Sequence, residues 1–457
     1  MKRIFILIIG IALLCTSLEA RVVSVEQAQK VAGIVLKHNV GNGCLAKPAA
    51  KQESLTKGAA DSAPEFHIFN GTEGGFVIVS GDDSVSPVIG YSDKGEFVTE
   101  GMPENISAWL DMWKAIIRSQ REKNASADQA TASEWAVYNA GNLPTKGEKK
   151  LLETADWDQG APYNLLCPDF GKGTTITGCT ATSTAIIMRY HKWPVSGTGK
   201  LPSYNFVYDG KEQRHVEGHY LGHKYNWDKM PLKYTASATL EEKQAVAQLM
   251  LDVGVMHQSM YGTSREGGTG AWVSNTPAGL KKYFKYDASA EVVMESMYSS
   301  AAEYCQVLRD NIDNVGPIQY AGFSTSGGHA FVLDGYDGEK FHINWGWGGS
   351  DNGYYTYPWF AEYTEGQYCI INLMKDQSAI GYKVGFNKTS KLVTVTTGEE
   401  VIDCSVKNSK GQEFTQCLEI MSDSFVIDSN KLPLDSYTVS FRTESKSPSV
   451  IIKMGNK

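Results

Sequence analysis

This 457-residue sequence lacks several features that mark common functional classes. Acidic residues outnumber basic ones, and a formal net charge of −8 leaves no excess of the basic side chains that a general nucleic-acid binder needs. No two cysteines have the CxxC spacing of a zinc ribbon, and no HExxH motif is present. After the first twenty residues, no apolar run is long enough to span a bilayer. We therefore expect no nucleic-acid partner, no zinc ribbon and no membrane span.

The first twenty residues, MKRIFILIIGIALLCTSLEA, have the pattern of a secretory signal peptide. A positively charged start precedes an apolar core over residues 4–14, and the small Ala20 closes a cleavage motif. A lipoprotein anchor at Cys15 is the alternative, but the bulky Leu14 precedes it where such sites have a small residue. We expect residues 1–20 to be removed and the product to be secreted, periplasmic or held at the cell surface.

Seven of the eight cysteines lie outside this leader. An odd number of cysteines in an oxidising compartment leaves at least one thiol without a disulfide partner. Cys404 and Cys417 flank a turn-like segment and are candidates for a bridge, which their spacing alone does not establish. At least one cysteine is therefore expected to stay free.

Composition divides the rest of the chain into zones. Residues 21–120 combine an amphipathic stretch, Val25 to Leu36, with strand-like runs such as GGFVIVS, the pattern of a small α+β unit. Residues 121–150 are rich in Ala, Ser, Asn, Gly and Lys, and we expect an exposed linker that proteases cut. Residues 151–375 carry dense Trp, Gly and His motifs, and residues 376–457 alternate strand-like runs with polar turns. The last zone is therefore expected to be a small all-β region.

The stretch TGCTATSTAIIMRYHKWP, residues 177–194, places Cys179 directly after a glycine where a helical pattern begins. Unpaired N–H groups and the helix dipole at that end favour a thiolate. Most free cysteines are small buried hydrophobes, and this stretch alone does not decide between the two interpretations. A reactive Cys179 needs a base from elsewhere in the chain.

Histidine is the usual base for a cysteine nucleophile, and most of the nine histidines can be set aside. His215, His219 and His223 recur every four residues, but glycines interrupt their segment and a general base is missing, so a metal site is disfavoured. His191 lies at the far end of the helix that Cys179 begins. Neither group supplies a partner for the thiol.

His329 lies in STSGGHAFVLDGY and follows Cys179 by 150 residues, matching the papain-type order of cysteine and histidine. A lone histidine before a strand is usually structural, but the preceding glycines would let a ligand backbone approach the imidazole. A helix terminus is worth about 0.3–1 kcal/mol, whereas lowering a thiol pKa from about 8.5 to about 4 takes roughly 6 kcal/mol. A close imidazolium must supply the difference, and His329 is the best candidate.

Together, these motifs resemble the streptopain family of secreted cysteine peptidases, which have a papain-like fold and are made as zymogens. GCTATSTAIIMRYHKWP is similar to the family's nucleophile helix, GGHAFVLDGYDG to its histidine strand and NWGWGGSDNGYY to the loop that follows. WDQGAPYNLLCP resembles the segment with the oxyanion glutamine, here Gln159, and residues 253–271 resemble a wall of the substrate cleft. FVIVSGDDSVSPVIGYS resembles the inhibitory pro-domain. The likeness covers most of the chain up to about residue 375.

The resemblance implies a role for each site residue. Cys179 and His329 would form a catalytic dyad, and Gln159 would donate to the oxyanion, although without the resemblance a solvated loop position would be the better interpretation of Gln159. Trp345 stands where papain-like enzymes place an asparagine that orients the histidine, so we assign it a supporting role. The neighbouring Asn344 is expected to be structural.

The sequence thus predicts an α+β protein whose residues 151–375 form a papain-like, two-subdomain cysteine peptidase. A small α+β pro-domain with its linker (21–150) would precede it, and the all-β region (376–457) would follow. We expect a secreted endopeptidase made as a zymogen, with protein or peptide substrates, its own pro-domain as inhibitor, and no metal or organic cofactor. Largely autocatalytic cleavage is expected between Arg121 and Asp156. A thiol-dependent amidase or transferase, and a non-catalytic adhesin or binding protein on a peptidase-like scaffold, are the alternatives.

Overall fold

The computed structural model describes residues 22–50, 63–100, 102, 104–144, 147–324, 327–357, 367–376, 382–387, 389–397, 400–421, 423–433, 435–443 and 449–453. The predicted signal peptide lies outside these residues. Within them, no helix has the length and apolar character needed to cross a bilayer.

Helices and strands are mixed along the described chain, which confirms the α+β prediction. The α-helices are α1 (Val25–Asn39), α2 (Glu104–Glu122), α3 (Gln129–Asn139), α4 (Cys179–His191), α5 (Leu240–Met256), α6 (Thr276–Phe284) and α7 (Ala301–Asn314). The first strands are β1 (Ala46–Pro48), β2 (Phe66–Gly71), β3 (Phe76–Ser80), β4 (Val88–Ser92), β5 (Lys149–Leu151), β6 (Tyr204–Tyr208) and β7 (Glu212–Val216). They are followed by β8 (Glu291–Val293), β9 (Ile318–Ser324), β10 (Gly327–Asp337), β11 (Lys340–Asn344), β12 (Gly353–Thr356) and β13 (Tyr368–Ile371). The C-terminal strands are β14 (Lys383–Asn387), β15 (Leu392–Thr396), β16 (Asp403–Asn408), β17 (Leu418–Ile420), β18 (Ser424–Asp428), β19 (Ser436–Arg442) and β20 (Ser449–Lys453).

One antiparallel sheet runs through both the N-terminal unit and the domain that follows it. Its order is β1-β2-β3-β4-β12-β11-β10-β9-β13-β8, and β5 pairs with β10. The two units join between β4 and β12, where Tyr91 lies opposite Tyr354 and Gly90 opposite Tyr355. The N-terminal unit therefore covers a strand that would otherwise be a sheet edge.

The two units also share a hydrophobic core. Ile78 and Trp109 of the N-terminal unit pack in the same cluster as Phe331, Ile343 and Tyr355 of the second domain. The rings of Trp109 and Tyr355 meet edge to face, with centroids 4.9 Å apart. Burying an apolar side chain of this size stabilises by about 1.5–3 kcal/mol, so packing holds the N-terminal unit in addition to its covalent link.

The segment 121–150 differs from the exposed linker that its composition predicts. Helix α3 occupies residues 129–139, and the Asp128 side chain caps its N-terminus. Trp135 is buried in a core shared with α1, and its indole N–H donates to the Val85 carbonyl at 2.8 Å. The linker prediction is therefore wrong for residues 129–139, because buried aromatic side chains, rather than average composition, decide the local structure.

The second domain has the helical and sheet halves expected of a papain-like fold. Ile186 and Met188 of α4 pack with Met250 and Val253 of α5 and with Val332 of β10 in one core. Helix α4 is thus held between α5 and the sheet. Its first residue, where the nucleophile was expected, lies at the boundary between the two halves.

The described C-terminal residues form two small sheets, β14-β15-β18-β17 and β16-β19-β20. They enclose a core of their own, which includes Val395, Val406 and Tyr437. Cys417 lies in this core and Cys404 packs against it, both as free thiols, and not as the bridge that their spacing allows. The all-β prediction for this region is confirmed.

Candidate active site

Cys179 is the first residue of α4, and the glycine before it fixes that position. Gly178 has φ of 83°, in the left-handed region that favours glycine. A Cβ atom at Gly178 would lie 2.8 Å from the carbonyl oxygen of Thr269. Only glycine lets the chain turn into the helix this close to Thr269, and the turn delivers the thiol to the helix end with unpaired N–H groups.

The half-buried side chain of Cys179 contacts the strand that carries the expected histidine. It packs against the core that contains Ala330, the residue after His329, and the Ala330 N–H acts to lower the pKa of the thiol. The fold thereby joins two segments that are 150 residues apart. Burial raises the pKa of the Cys179 thiol above its ordinary value, so the thiol is neutral in this state.

His329 is half-buried on β10 and is oriented by a backbone carbonyl. Its Nε2 lies 3.0 Å from the carbonyl oxygen of Trp345. Because a carbonyl only accepts, Nε2 carries the proton and Nδ1 keeps the lone pair that a base needs. Burial lowers the pKa of His329 to about 4, and the bond to Trp345 acts in the opposite direction. The thiolate–imidazolium pair expected from the sequence stays a prediction.

Aromatic rings pack around the imidazole of His329. The ring of Trp347 is close, with centroids 4.8 Å apart, and those of Trp345 and Phe331 lie at 6.3 Å. Trp345 is fully buried, and its indole N–H donates to the Asp351 carbonyl at 3.0 Å. Trp345 is thus a fixed support beside His329. Trp347 is a contact that the sequence analysis missed, although its place in the WGWGG repeat is a usable signal.

Gln159 lies beside the loop that leads into α4. Its backbone carbonyl accepts from the Thr177 N–H at 3.1 Å and from the Thr177 hydroxyl at 3.4 Å. Thr177 precedes Cys179 by two residues, so the fold brings Gln159 near the nucleophile. The Gln159 side chain is half-buried, and its role as an oxyanion donor stays a prediction.

Asn344 is used within the fold. Its amide donates to the Ala155 carbonyl at 3.0 Å and to the Thr154 hydroxyl at 3.1 Å, and its oxygen accepts from the Gly346 N–H at 3.1 Å. The side chain is 1% exposed, so these bonds satisfy a buried amide. This agrees with the structural role expected for Asn344.

The histidines that the sequence disfavours as metal ligands or as partners of Cys179 form other hydrogen bonds. The Nε2 atoms of His219 and His223 each lie 2.7 Å from a carboxylate oxygen of the buried Asp252. Neither residue is helical, since His219 and His223 follow strand β7. The pair fastens the segment after β7 to helix α5, which carries Asp252.

The segment 253–271 has two parts. Its beginning completes α5 and packs in the core, as Val253 and Val255 do. Its end borders the nucleophile, since Thr180 donates to the Ala271 carbonyl at 3.1 Å. The position of this second part fits the cleft wall that the resemblance implies.

Comparison with known families assigns both units. Residues 157–355 match the Peptidase C10 family, and residues 20–117 match the Spi protease inhibitor family. The fold and these matches define a cysteine peptidase with an inhibitor domain at its N-terminus. The chain belongs to the Peptidase C10 family, the family of streptopain.

Individual relatives support this assignment. Streptopain of Streptococcus pyogenes is 32% identical over 322 residues, covering 67% of this chain and 77% of that protein. The thiol protease/hemagglutinin PrtT of Porphyromonas gingivalis is 32% identical over 370 residues, which span 77% of this chain but 41% of PrtT. A fragment of prointerpain A from Prevotella intermedia superposes with a TM-score of 0.55 at 27% identity, covering 73% of this chain and 99% of the fragment. The likeness to a proenzyme supports the zymogen organisation and the papain-like fold.

Proposed function

We propose that this chain is the precursor of a secreted cysteine endopeptidase in which Cys179 is the nucleophile and His329 the base. The observation that carries the proposal is the packing of Cys179, the first residue of α4, against the core that contains Ala330, the residue after His329 on β10. Cys167, Cys305 and Cys369 are poorer candidates, since their side chains are buried whereas Cys179 is partly exposed.

The proposed reaction begins when Nδ1 of His329 takes the proton of the Cys179 thiol. The thiolate attacks the peptide carbonyl and forms a C–S bond, the C–N bond then breaks, and the imidazolium protonates the leaving amine. Water attacks the resulting thioester while His329 accepts its proton, the C–S bond breaks, and the thiol is restored. The products are a carboxylic acid and a new amino terminus.

Two further residues support this chemistry. The side-chain amide of Gln159 and the backbone N–H of Cys179 would stabilise the oxyanion, and one such donor is worth about 3 kcal/mol. The Trp345 carbonyl would hold Nε2–H of His329, the task that an asparagine performs in other papain-like enzymes. No metal or organic cofactor is required for these steps.

We assign residues 21–150 to the pro-domain and its connection, 151–375 to the catalytic domain and 376–457 to an accessory β domain. The pro-domain would inhibit its own chain until cleavage between Arg121 and Asp156. Helix α3 and strand β5 are held in the fold, so we expect cleavage outside these two elements. Secretion would follow from the predicted signal peptide, and protein or peptide chains would be the substrates.

Variants of the named residues test the proposal. We expect Cys179→Ala and His329→Ala to abolish hydrolysis of a protein substrate with an unchanged circular dichroism spectrum. Gln159→Ala should lower turnover by about 10²–10³-fold, the effect of one oxyanion donor. Cys305→Ala, a buried thiol outside the site, should keep activity and is the matched control. Normal hydrolysis by folded Cys179→Ala protein would refute the proposal.

A further inference from the structure

A buried glutamine lies beneath the helix that carries the nucleophile. Gln319 is on β9, opposite Val332 of β10 and Ile370 of β13, and its side chain is fully buried. Burying an amide without hydrogen bonds costs roughly 2–7 kcal/mol. The partners of Gln319 therefore indicate what this polar residue does in the core.

The Gln319 amide joins three elements. Its Nε2 donates toward acceptors on α4: the hydroxyls of Ser183 and Thr184, each at 2.9 Å, and the Thr180 carbonyl at 3.2 Å. Its Oε1 accepts from the hydroxyl of Thr276, the first residue of α6, at 2.7 Å. One side chain on the sheet thus fastens the beginnings of two helices.

The same network reaches the backbone of the nucleophile. The Ser183 hydroxyl donates to the Cys179 carbonyl at 2.8 Å, and the Thr184 hydroxyl donates to the Thr180 carbonyl at 2.8 Å. The Gln319 amide, on the sheet side of α4, donates to both hydroxyls and so fixes their orientation. The first turn of α4 is therefore held from the sheet through Gln319, rather than only by its own helical bonds.

We propose that Gln319 is a positioning residue that fixes the Cys179 sulfur and backbone N–H relative to His329. The pairing of β9 with β10 supports this role. His329 of β10 lies opposite Gly322, and Gly322 is three residues from Gln319 along β9. The inference rests on the proposed roles of Cys179 and His329. A misplacement of 1 Å at a reacting centre can cost about 100-fold in rate, so a residue that never touches substrate can still govern turnover.

Gln319→Met tests the proposal, since it keeps the length of the side chain and removes the amide. Asn311→Leu is the matched control: Asn311 is also a buried amide, donating to the Gly316 carbonyl at 3.0 Å and accepting from the Asn372 N–H at 2.8 Å, but it lies on α7. Both full-length variants are processed by immobilised wild-type enzyme, which is then removed. Active sites are titrated with a thiol-directed peptidyl epoxide, so that rates refer to folded, reactive protein.

We expect Gln319→Met to lower kcat per titrated site by about 10- to 100-fold and to change KM by less than about threefold. The pH midpoint for alkylation of Cys179 by iodoacetamide should rise, because a displaced thiolate is less stabilised by the imidazolium. Asn311→Leu should lose thermal stability and keep both kcat and the midpoint. If Gln319→Met does not fold, Ser183→Ala removes the hydroxyl that links Gln319 to the Cys179 carbonyl and should change kcat and the midpoint in the same direction.

A wild-type kcat and midpoint in Gln319→Met, or equal losses in Asn311→Leu, would overturn the positioning role. If Gln319→Met does not fold, unchanged kinetics in Ser183→Ala would overturn it as well. A wild-type chain without Cys179-dependent hydrolysis would instead refute the proposed function, so the two failures are distinguishable.

Discussion

At the scale of single residues, the thiol and the imidazole that would react together are both neutral in this structure. Burial raises the pKa of Cys179 and lowers that of His329 to about 4. The helix terminus favours the thiolate by only about 0.3–1 kcal/mol, which does not offset this burial. We expect pro-domain removal to change the environment of the site and to favour the active ion pair.

The expected difference in thiol pKa between the precursor and the processed enzyme can be measured on Cys179 directly. We expect its alkylation by iodoacetamide to have a pH midpoint above about 8.5 in the precursor and below about 7 in the processed enzyme. Both forms can be alkylated in one mixture, separated by size and analysed by peptide mass spectrometry. A low midpoint already present in the precursor would contradict a neutral, latent thiol.

At the scale of elements, the start of α4 depends on Gly178. Ala at this position would place Cβ 2.8 Å from the Thr269 carbonyl oxygen at φ of 83°. We expect Gly178→Ala to destabilise the precursor by about 1–3 kcal/mol and to reduce peptidase activity more than stability alone explains. Thermal unfolding and activity per titrated site measure the two effects.

Gly33→Ala in α1 is the control for this substitution. A Cβ atom at Gly33 has no neighbour within 4 Å, and alanine favours a helix interior by about 1 kcal/mol over glycine. It should leave the precursor equally or more stable. Equal destabilisation by both substitutions would show that the contact with Thr269 does not matter.

The elements differ in how far the sequence could predict them. Local patterns predicted the helix from Cys179 and the strand after His329, since periodicity and the preceding glycines are local signals. Helix α3 was missed because the composition of residues 121–150 hides Trp135, whose burial depends on distant partners. The pairing of Tyr354 with Tyr91 has no local signal, since it joins strands from two units. The Trp345 carbonyl that orients His329 belongs to the backbone, which residue types do not reveal.

At the scale of the whole molecule, the described C-terminal strands form a core separate from the catalytic domain. Among the residues that the structure describes, this core draws only on positions between 382 and 441. Before this core, Asp376 is still fastened to the preceding domain, since its N–H donates to the Lys285 carbonyl at 3.1 Å.

We therefore expect a chain that ends after Asp376 to fold and to hydrolyse a small peptide at the full-length rate. Activity per titrated site and circular dichroism check this. An unfolded or inactive truncated chain would make the β region part of the enzyme's own structure.

The junction of the pro-domain and the catalytic domain contains a buried acid. Asp351 is 6% exposed, and the backbone N–H of Val98 in the N-terminal unit acts to lower the pKa of its carboxyl. Burial raises its pKa to about 6. Because an unfolded chain has an Asp pKa of about 3.9, the folded precursor binds this proton more tightly, and Asp351 contributes stability below pH 4 that is lost as pH rises through 6.

Asp351→Asn should remove this contribution, and asparagine tolerates the φ of 59° at this position. We expect the stability of the Asn variant relative to Asp351 to increase by about 2 kcal/mol between pH 4 and pH 7. Denaturant unfolding of Cys179→Ala precursors, which do not self-process, provides the comparison. A difference that is constant with pH would contradict a raised pKa for Asp351.

The shared sheet and core make the precursor a single packed unit. Its conversion to an active enzyme tests most directly whether Cys179 is the nucleophile. Purified wild-type and Cys179→Ala precursors are incubated separately, and their products are followed by mass and N-terminal sequencing. We predict that the wild type is cleaved between Arg121 and Asp156 and loses a fragment of about 14 kDa. This mass assumes about 110 Da per residue. Cys179→Ala should remain uncut until active enzyme is added. Maturation of the isolated Cys179→Ala precursor at the wild-type rate would contradict self-processing by this thiol.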